Sequence, residues 1–303
     1  MITSRLFALP LLAFLLAAVP ATPPAASPDG PAKANRPAMQ EFMRFIDEGP
    51  HPRLETSVIT LTHPDGRTID LVSMVHVADA SYYAAINDLA KSYDSALYEL
   101  VKAEGAAPPK PGQKATSGVG MMQRFMESVL KLEYQLDGID YTPKNFVHAD
   151  LTAEQFFHLQ DQRGESLSGL MIQSMLREMG KAQNANQQAA IMNEFFAAAN
   201  NPDKARFLKR GLARSFDQIE SALAGLEGGE KGSVLVTERN KAALAALAKQ
   251  TAGGQKSFGL LYGAAHMPDF YSRLTAMGYK QTAARWLTAW DLTPAPTTQP
   301  ATP

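Results

Sequence analysis

The chain has 303 residues, is 45% hydrophobic, and carries 29 basic against 30 acidic side chains for a formal charge of −1. That length and apolar content support one large domain or two small ones with a real core, and the balance of charge lacks the basic footprint of a nucleic-acid or anionic-membrane binder. Cysteine is absent, which excludes disulfides, thiolate metal sites, cysteine nucleophiles and a lipidated cysteine after a leader.

Residues 1–21 have the form of an export signal: Arg5, the apolar run "LFALPLLAFLLAAV" (6–19) and the small-residue step "VPA" (19–21). The run contains Pro10 and falls short of the roughly 20 residues a spanning helix needs. The expectation is a removed leader, no stable membrane span, and an exported protein, periplasmic or secreted. Residues 22–38, rich in Pro and Ala, are expected to be a flexible spacer, and 292–303 ("LTPAPTTQPATP") a tail of the same kind. A single folded body is then expected over 39–291.

"MQEFMRFID" reads as a helix. Two β-rich runs within 53–77 flank His63-Pro64-Asp65-Gly66, a hairpin turn sequence. "ASYYAAINDLAKSY" (80–93) reads as a helix and "SALYELV" (95–101) as a strand, which suits a crossover unit. "AAPPKPGQKATSG" (106–118) reads as a loop. From about 119 to 230 the sequence looks almost wholly helical, with Met and Phe at helical spacing that suit a packed core. Strand character returns in "GSVLVTERN" (232–240), followed by the helix "KAALAALAKQ", the strand "KSFGLLYG", a helix around "PDFYSRLTAMG" and a last run "YKQTAARWLTAW". The expected architecture is mixed α/β: a split sheet flanked by helices, with a large helical insertion between its two halves.

Two strands end in histidine: His76 in "LVSMVHVAD" and His266 in "LLYGAAHMPDF". In open α/β sheets ligands bind beyond the carboxyl ends of strands. Gly263 lets the chain turn tightly there, and Pro268 suits the first turn of the next helix. Glu99 ends the strand expected beside the one leading to His76; a carboxylate on an apolar run needs a cation or hydrogen bonds. Arg239 follows "SVLV" at the corresponding loop. Two imidazoles and a carboxylate form the ligand set of a catalytic divalent metal with an open position, and an arginine can steady an oxyanion or hold a carboxylate. Each residue also has a structural reading, as a satisfied strand-end His or a salt-bridge partner. His51 and His63 read as solvated loop residues and His158 as a helix-surface residue. His148 precedes Asp150, read as a helix N-cap, and can be presented from the insertion toward the sheet. "GxSxG", Walker, "HExxH" and dinucleotide-fingerprint patterns are all absent.

"SMVH" (73–76), "YEL" (98–100), "TERN" (237–240) and "YGAAH" (262–266) together resemble the TraB/PrgY/GumN family, which is similar to the TIKI metalloproteases and more remotely to ChaN-like and erythromycin-esterase-like proteins. The resemblance covers both sheet halves, about 53–101 and 232–291. It carries two GxxH histidines onto His76 and His266, an acidic residue onto Glu99 and an arginine onto Arg239; Ser73 stands where the first motif usually has Gly. It implies a metal-dependent hydrolase, peptidase-like, using Mn, Co or Zn, with His76, Glu99 and His266 as metal ligands, Arg239 as oxyanion partner and Glu238 as a secondary candidate for proton transfer. The substrate would be a peptide or small molecule. The alternative is a non-catalytic protein that binds haem or a peptide signal, with Tyr262 or His148 as haem ligand. A third reading makes the motif residues a stabilising polar cluster.

Overall fold

The computed structural model describes residues 41–107, 130–165, 203–214 and 233–294. The leader, spacer, most of the 106–118 loop, the predicted helices around 168–200 and the end of the tail lie outside them. Among the described residues no helix is long and apolar enough to cross a membrane.

The body is mixed α/β, as the sequence predicts, and centres on one seven-stranded sheet. β1 (Met43–Ile46), β2 (Arg53–Thr62) and β3 (Thr68–Met74) are followed by the short β4 (Val77–Ala78) and helix α1 (Ala80–Lys91). Then come β5 (Ser95–Tyr98), β6 (Glu133–Tyr134), the single turn α2 (Gln135–Gly138), β7 (Phe146–His148) and α3 (Ala153–Arg163). Residues 204–214 are helical. A π-helical turn, Val234–Glu238, leads into α4 (Arg239–Ala252), then β8 (Ser257–Gly263), a 3₁₀ turn Ala264–His266, α5 (Met267–Ala276) and β9 (Lys280–Asp291).

Four strands, in the order β3-β8-β5-β7, run parallel, so their carboxyl ends share one edge. Such strands are buried on both faces and read as continuous apolar runs, which is how "DLVSM", "SALY" and "FGLLY" look. The rest of the sheet is antiparallel. β9 pairs with β2 along its length, while β1 and β3 share β2's opposite edge, over Arg53–Thr56 and Val58–Thr62 respectively. The β2–β3 hairpin closes at the predicted turn, with Gly66 at φ 90° and its N–H bonded to the His63 carbonyl. The core gathers Val72, Leu97, Leu260, Tyr262, Phe270 and Trp290 around these strands.

Four expectations are corrected. "MRFI" is a strand, not helix, because β2 leaves an open edge where β3 stops, and Met43–Ile46 fills it. "VLVTE" is not a strand: Ser233 Oγ accepts the Val236 N–H and Thr237 Oγ1 accepts the Ser233 N–H, winding the segment into a turn. The insertion is not wholly helical, since β6 pairs with β4 and β7 extends the main sheet. Finally, Glu99's strand lies beside the strand that leads to His266, β8, rather than beside the one that leads to His76.

Candidate functional site

The parallel register aligns Met74 with Gly263, and Tyr98 with both Leu261 and His148. His76, Glu99, His266 and the segment after His148 therefore leave the sheet at one edge. The Glu99 N–H still bonds to the Leu261 carbonyl (3.1 Å) and the Ala149 N–H to the Tyr98 carbonyl (3.2 Å), so the ladders carry on into the loops and fix their direction.

Glu99 is the hub. Its side chain is 10% exposed. One oxygen, Oε2, accepts the Gly263 N–H at 2.7 Å; the other, Oε1, accepts Arg239 Nη2 at 2.7 Å and lies 3.5 Å from His266 Nε2. A Cβ at 263 would stand 3.3 Å from Oε2, a tight approach that the carboxylate would have to give way to. Burial by itself would raise the Glu99 pKa. The Arg239 guanidinium, then His266 and then His76, outweigh it and hold the carboxyl well below its ordinary value. Glu99 is therefore ionised, and His76 is near enough for its charge to matter.

Arg239 opens α4 directly after the π-helical turn and is 6% exposed. Its Nε and Nη2 bind Asp150 at 3.0 and 2.6 Å, Nη2 also reaches Glu99, and Nη1 approaches His266 Nε2 at 3.4 Å. Burial would lower its pKa, but Asp150 and Glu99 raise it, so the cation is permanent. Nε and Nη2 are spent on the two carboxylates, while Nη1 makes only the long approach to His266. The sequence reading missed Asp150, taking it for a helix N-cap. Thr152 caps α3 instead, in a reciprocal pair with Gln155, and the Asp150 side chain is fully buried against Arg239. No sequence signal tied Asp150 to a residue 89 positions on.

His266 is 4% exposed and sits in the turn between β8 and α5. Its Nδ1 lies 2.6 Å from Asn240 Oδ1, while Asn240 Nδ2 donates to the His266 carbonyl (3.0 Å) and to Asp269 (2.9 Å), itself held by Arg273 at 2.7 Å. Asn240, the last letter of "TERN", is fully buried and was given no role from sequence. His76 is exposed. Its Nδ1 lies 3.0 Å from Gln135 Oε1, and Gln135 in turn contacts Tyr141 and binds the His76 carbonyl through its own N–H. Gln135, another residue missed, is delivered by the β4–β6 ladder, which aligns Val77 with Tyr134.

The secondary candidates are engaged elsewhere. Tyr262 is fully buried, its phenol donates to the Ala149 carbonyl, and burial, reinforced by Asp150, pushes its pKa well up. His148 Nε2 lies 2.6 Å from the Leu100 carbonyl, and burial lowers its pKa, so it is a neutral donor there. Glu238 pairs with Arg163 on α3 and with Lys241 (2.8 Å). The structure thus brings His76, Glu99, Arg239 and His266 to one strand edge, and leaves Tyr262, His148 and Glu238 bonded to other groups.

For a metal, the donor types are present: an ionised carboxylate oxygen and an imidazole Nε2 face each other at 3.5 Å, with the Arg239 guanidinium beside both, at 2.7 Å from the oxygen and 3.4 Å from the nitrogen. Among the described residues, no three His, Asp or Glu side chains already stand as an ion cage. Compared with protein-family models, curated proteins and solved structures, the chain matches none.

Proposed function

We propose that this chain is an exported hydrolase of TraB/PrgY/GumN type, metal-dependent and acting on a peptide or similar acyl substrate, with its reacting water held by His76, Glu99 and His266. The observation that carries the reading is Glu99, a carboxylate kept ionised on an otherwise apolar strand end, with one imidazole against it and another at the rim. The motif resemblance supports the same assignment. A buried charge of this kind is costly unless a function or a network retains it.

Glu99 Oε1 and His266 Nε2 would hold a divalent ion, with His76 as the solvent-facing third donor. Such an ion lowers the pKa of bound water to about 7 and polarises a carbonyl. The protein's own part is orientation. Gly263 N–H and Arg239 fix the Glu99 carboxylate, Asn240 fixes the His266 ring, and exposed His76 meets the substrate side. Arg239 acts as the counter-ion that keeps Glu99 charged. Its Nε and Nη2 are spent on the two carboxylates, which leaves Nη1, with its 3.4 Å approach to His266, as the nitrogen that would face a developing oxyanion.

The test is metal content together with cleavage of a peptide library by the folded protein. The expected result is stoichiometric divalent metal and metal-stimulated hydrolysis, lost in His76→Ala and His266→Ala with circular dichroism unchanged. Hydrolysis that survives both substitutions, or no turnover with any divalent ion, would overturn the proposal. A Soret band on the purified protein would point to haem binding instead, although both sequence-predicted haem ligands are already hydrogen-bonded.

A further inference from the structure

Each site histidine is gripped at two points by one carboxamide residue. Asn240 binds the His266 carbonyl through Nδ2 and the ring through Oδ1, at 3.0 and 2.6 Å. Gln135 binds the His76 carbonyl through its backbone N–H and the ring through Oε1, at 2.8 and 3.0 Å. The two carboxamides come from unrelated segments, one in the first turn of helix α4 and the other opening the single turn α2. Both are buried, at 0% and 5% exposure, although His76 itself is not.

The surroundings of the Asn240 amide settle which nitrogen of His266 carries the proton, and the placement of the Gln135 amide points to the same nitrogen of His76. Asn240 Nδ2 faces a backbone carbonyl and the Asp269 carboxylate, which only accept, so the group facing His266 is the oxygen. An oxygen at 2.6 Å from Nδ1 requires Nδ1–H. On the other side of the ring, Nε2 lies between Arg239 Nη1 at 3.4 Å, which can only donate, and Glu99 Oε1 at 3.5 Å, which can only accept; with the proton of the neutral ring held at Nδ1 by Asn240, Nε2 keeps its lone pair. Arg273 continues the chain by holding Asp269, which in turn prevents Asn240 from turning over. At His76, Gln135 turns Nε2 to the Tyr141 hydroxyl (3.2 Å) and Oε1 to the ring. His148 has the opposite arrangement, with its Nε2 spent on the Leu100 carbonyl at 2.6 Å.

We propose that Asn240 and Gln135 are positioning residues that hold His266 and His76 in the same tautomer, Nδ1 protonated, so that both Nε2 lone pairs are available at the site. The inference deepens the hydrolase reading and rests on it for its purpose, because a ligand or general base needs a lone pair whose direction is set in advance. The tautomers themselves are a property of the metal-free protein and can be read without any activity.

The experiment is long-range ¹H–¹⁵N correlation on ¹⁵N-histidine-labelled, metal-stripped protein at alkaline pH, well above the ordinary imidazole range. In the wild type, His266 and His76 should show the Nδ1–H pattern and His148 the Nε2–H pattern, which serves as an internal reference for the fold. Asn240→Ala should shift the tautomer ratio of His266 alone, and Gln135→Leu that of His76 alone, each by about fivefold or more, the scale of one lost hydrogen bond. Asn240→Asp and Gln135→Glu keep an acceptor in place and should retain the Nδ1–H pattern. An Nε2–H pattern at His266 or His76 in the wild type overturns the proposal, even if a variant fails to fold. So do unchanged ratios in Asn240→Ala and Gln135→Leu while His148 keeps its signature. Correct tautomers with no metal and no turnover would instead sink the hydrolase reading and leave the positioning assignment standing.

Discussion

Removing Arg239 tests the electrostatic account of the site most directly. In metal-stripped protein, Arg239→Met leaves a side chain of similar length and takes away the cation shared by Glu99 and Asp150. Glu99 would keep the Gly263 N–H at 2.7 Å, and Asp150 the Leu151 N–H at 2.8 Å. Both carboxylates would remain at most one-tenth exposed. Breaking a buried pair from one side costs about 3–5 kcal/mol, against a typical total stability of about 5–15 kcal/mol. The variant should therefore fold with a much lower urea midpoint at neutral pH. The pH dependence has a definite sign. Burial alone would raise the Glu99 pKa, but Arg239, His266 and His76 hold it well below 4.5. In the wild type the ionised carboxylate therefore favours the fold above that value, and the contribution fades as pH falls through the lower folded pKa. Without Arg239 the largest opposing charge is gone and the balance moves toward burial. The folded variant then takes up a proton more readily than the wild type, and the stability gap should narrow as pH is lowered toward the carboxylate range. Adding Glu99→Gln should recover more than about 1 kcal/mol, since contacting residues are not additive. A loss below about 1 kcal/mol, a gap that does not change with pH, or strict additivity of the double variant would refute the counter-ion role.

Three further outcomes follow from the packing. Gly259→Ala would put a Cβ 2.3 Å from Tyr93 Cε2, on a ring pinned by its bond to Asp70 at 2.7 Å, so overpacking should cost about 1–3 kcal/mol in urea unfolding; an unchanged midpoint would contradict the tight β8 environment. Thr152→Ala removes the α3 cap and should cost about 1 kcal/mol, with Thr152→Ser close to wild type; equal losses in both would rule the cap out. His148 has its pKa lowered by burial from 6.5, partly offset by the Leu100 carbonyl. The unfolded chain therefore takes a proton first, and stability should fall as pH drops from about 6.5 to the folded value and then level off; His148→Gln should flatten that slope, and an identical slope in the variant would show that the group does not titrate as described.

The strand-end placement of both histidines and Glu99 was legible because it rests on local apolar runs and their breakers. What lay beyond reach was pairing across distance. "SVLV" carries strong β-propensity, yet the hydroxyls of Ser233 and Thr237 bond the backbone on either side of it, and a local capping preference defeats the apolar pattern. Asp150 and Thr152 are both plausible caps by residue type, and Gln155 stands three residues beyond Thr152, which decides between them. Once Thr152 has the helix, Asp150 is free for Arg239, but only the fold shows that Arg239 is there. Glu99 was set beside the wrong strand for a topological reason: chain order places β5 soon after β3, whereas in space β8 lies between them.

That interposed strand explains why no compact motif marks the site. Glu99 belongs to the first β-α-β passage of the chain, yet the groups in contact with its carboxylate arrive from the last quarter: Arg239 from α4, the Gly263 N–H from the end of β8, and His266 from the turn after it. In the finished sheet β8 is the common neighbour of β3 and β5. The strand that completes the central sheet thus also carries the Gly263 N–H and His266 to the buried carboxylate. Any ion or substrate that bound across Glu99 and His266 would bridge segments joined only in the finished fold, so its binding energy would add to the stability of the whole domain rather than to one loop. A site built this way cannot be excised as a short peptide, and its residues are spread 23, 140 and 27 positions apart because the sheet, not the sequence, sets the distances between them.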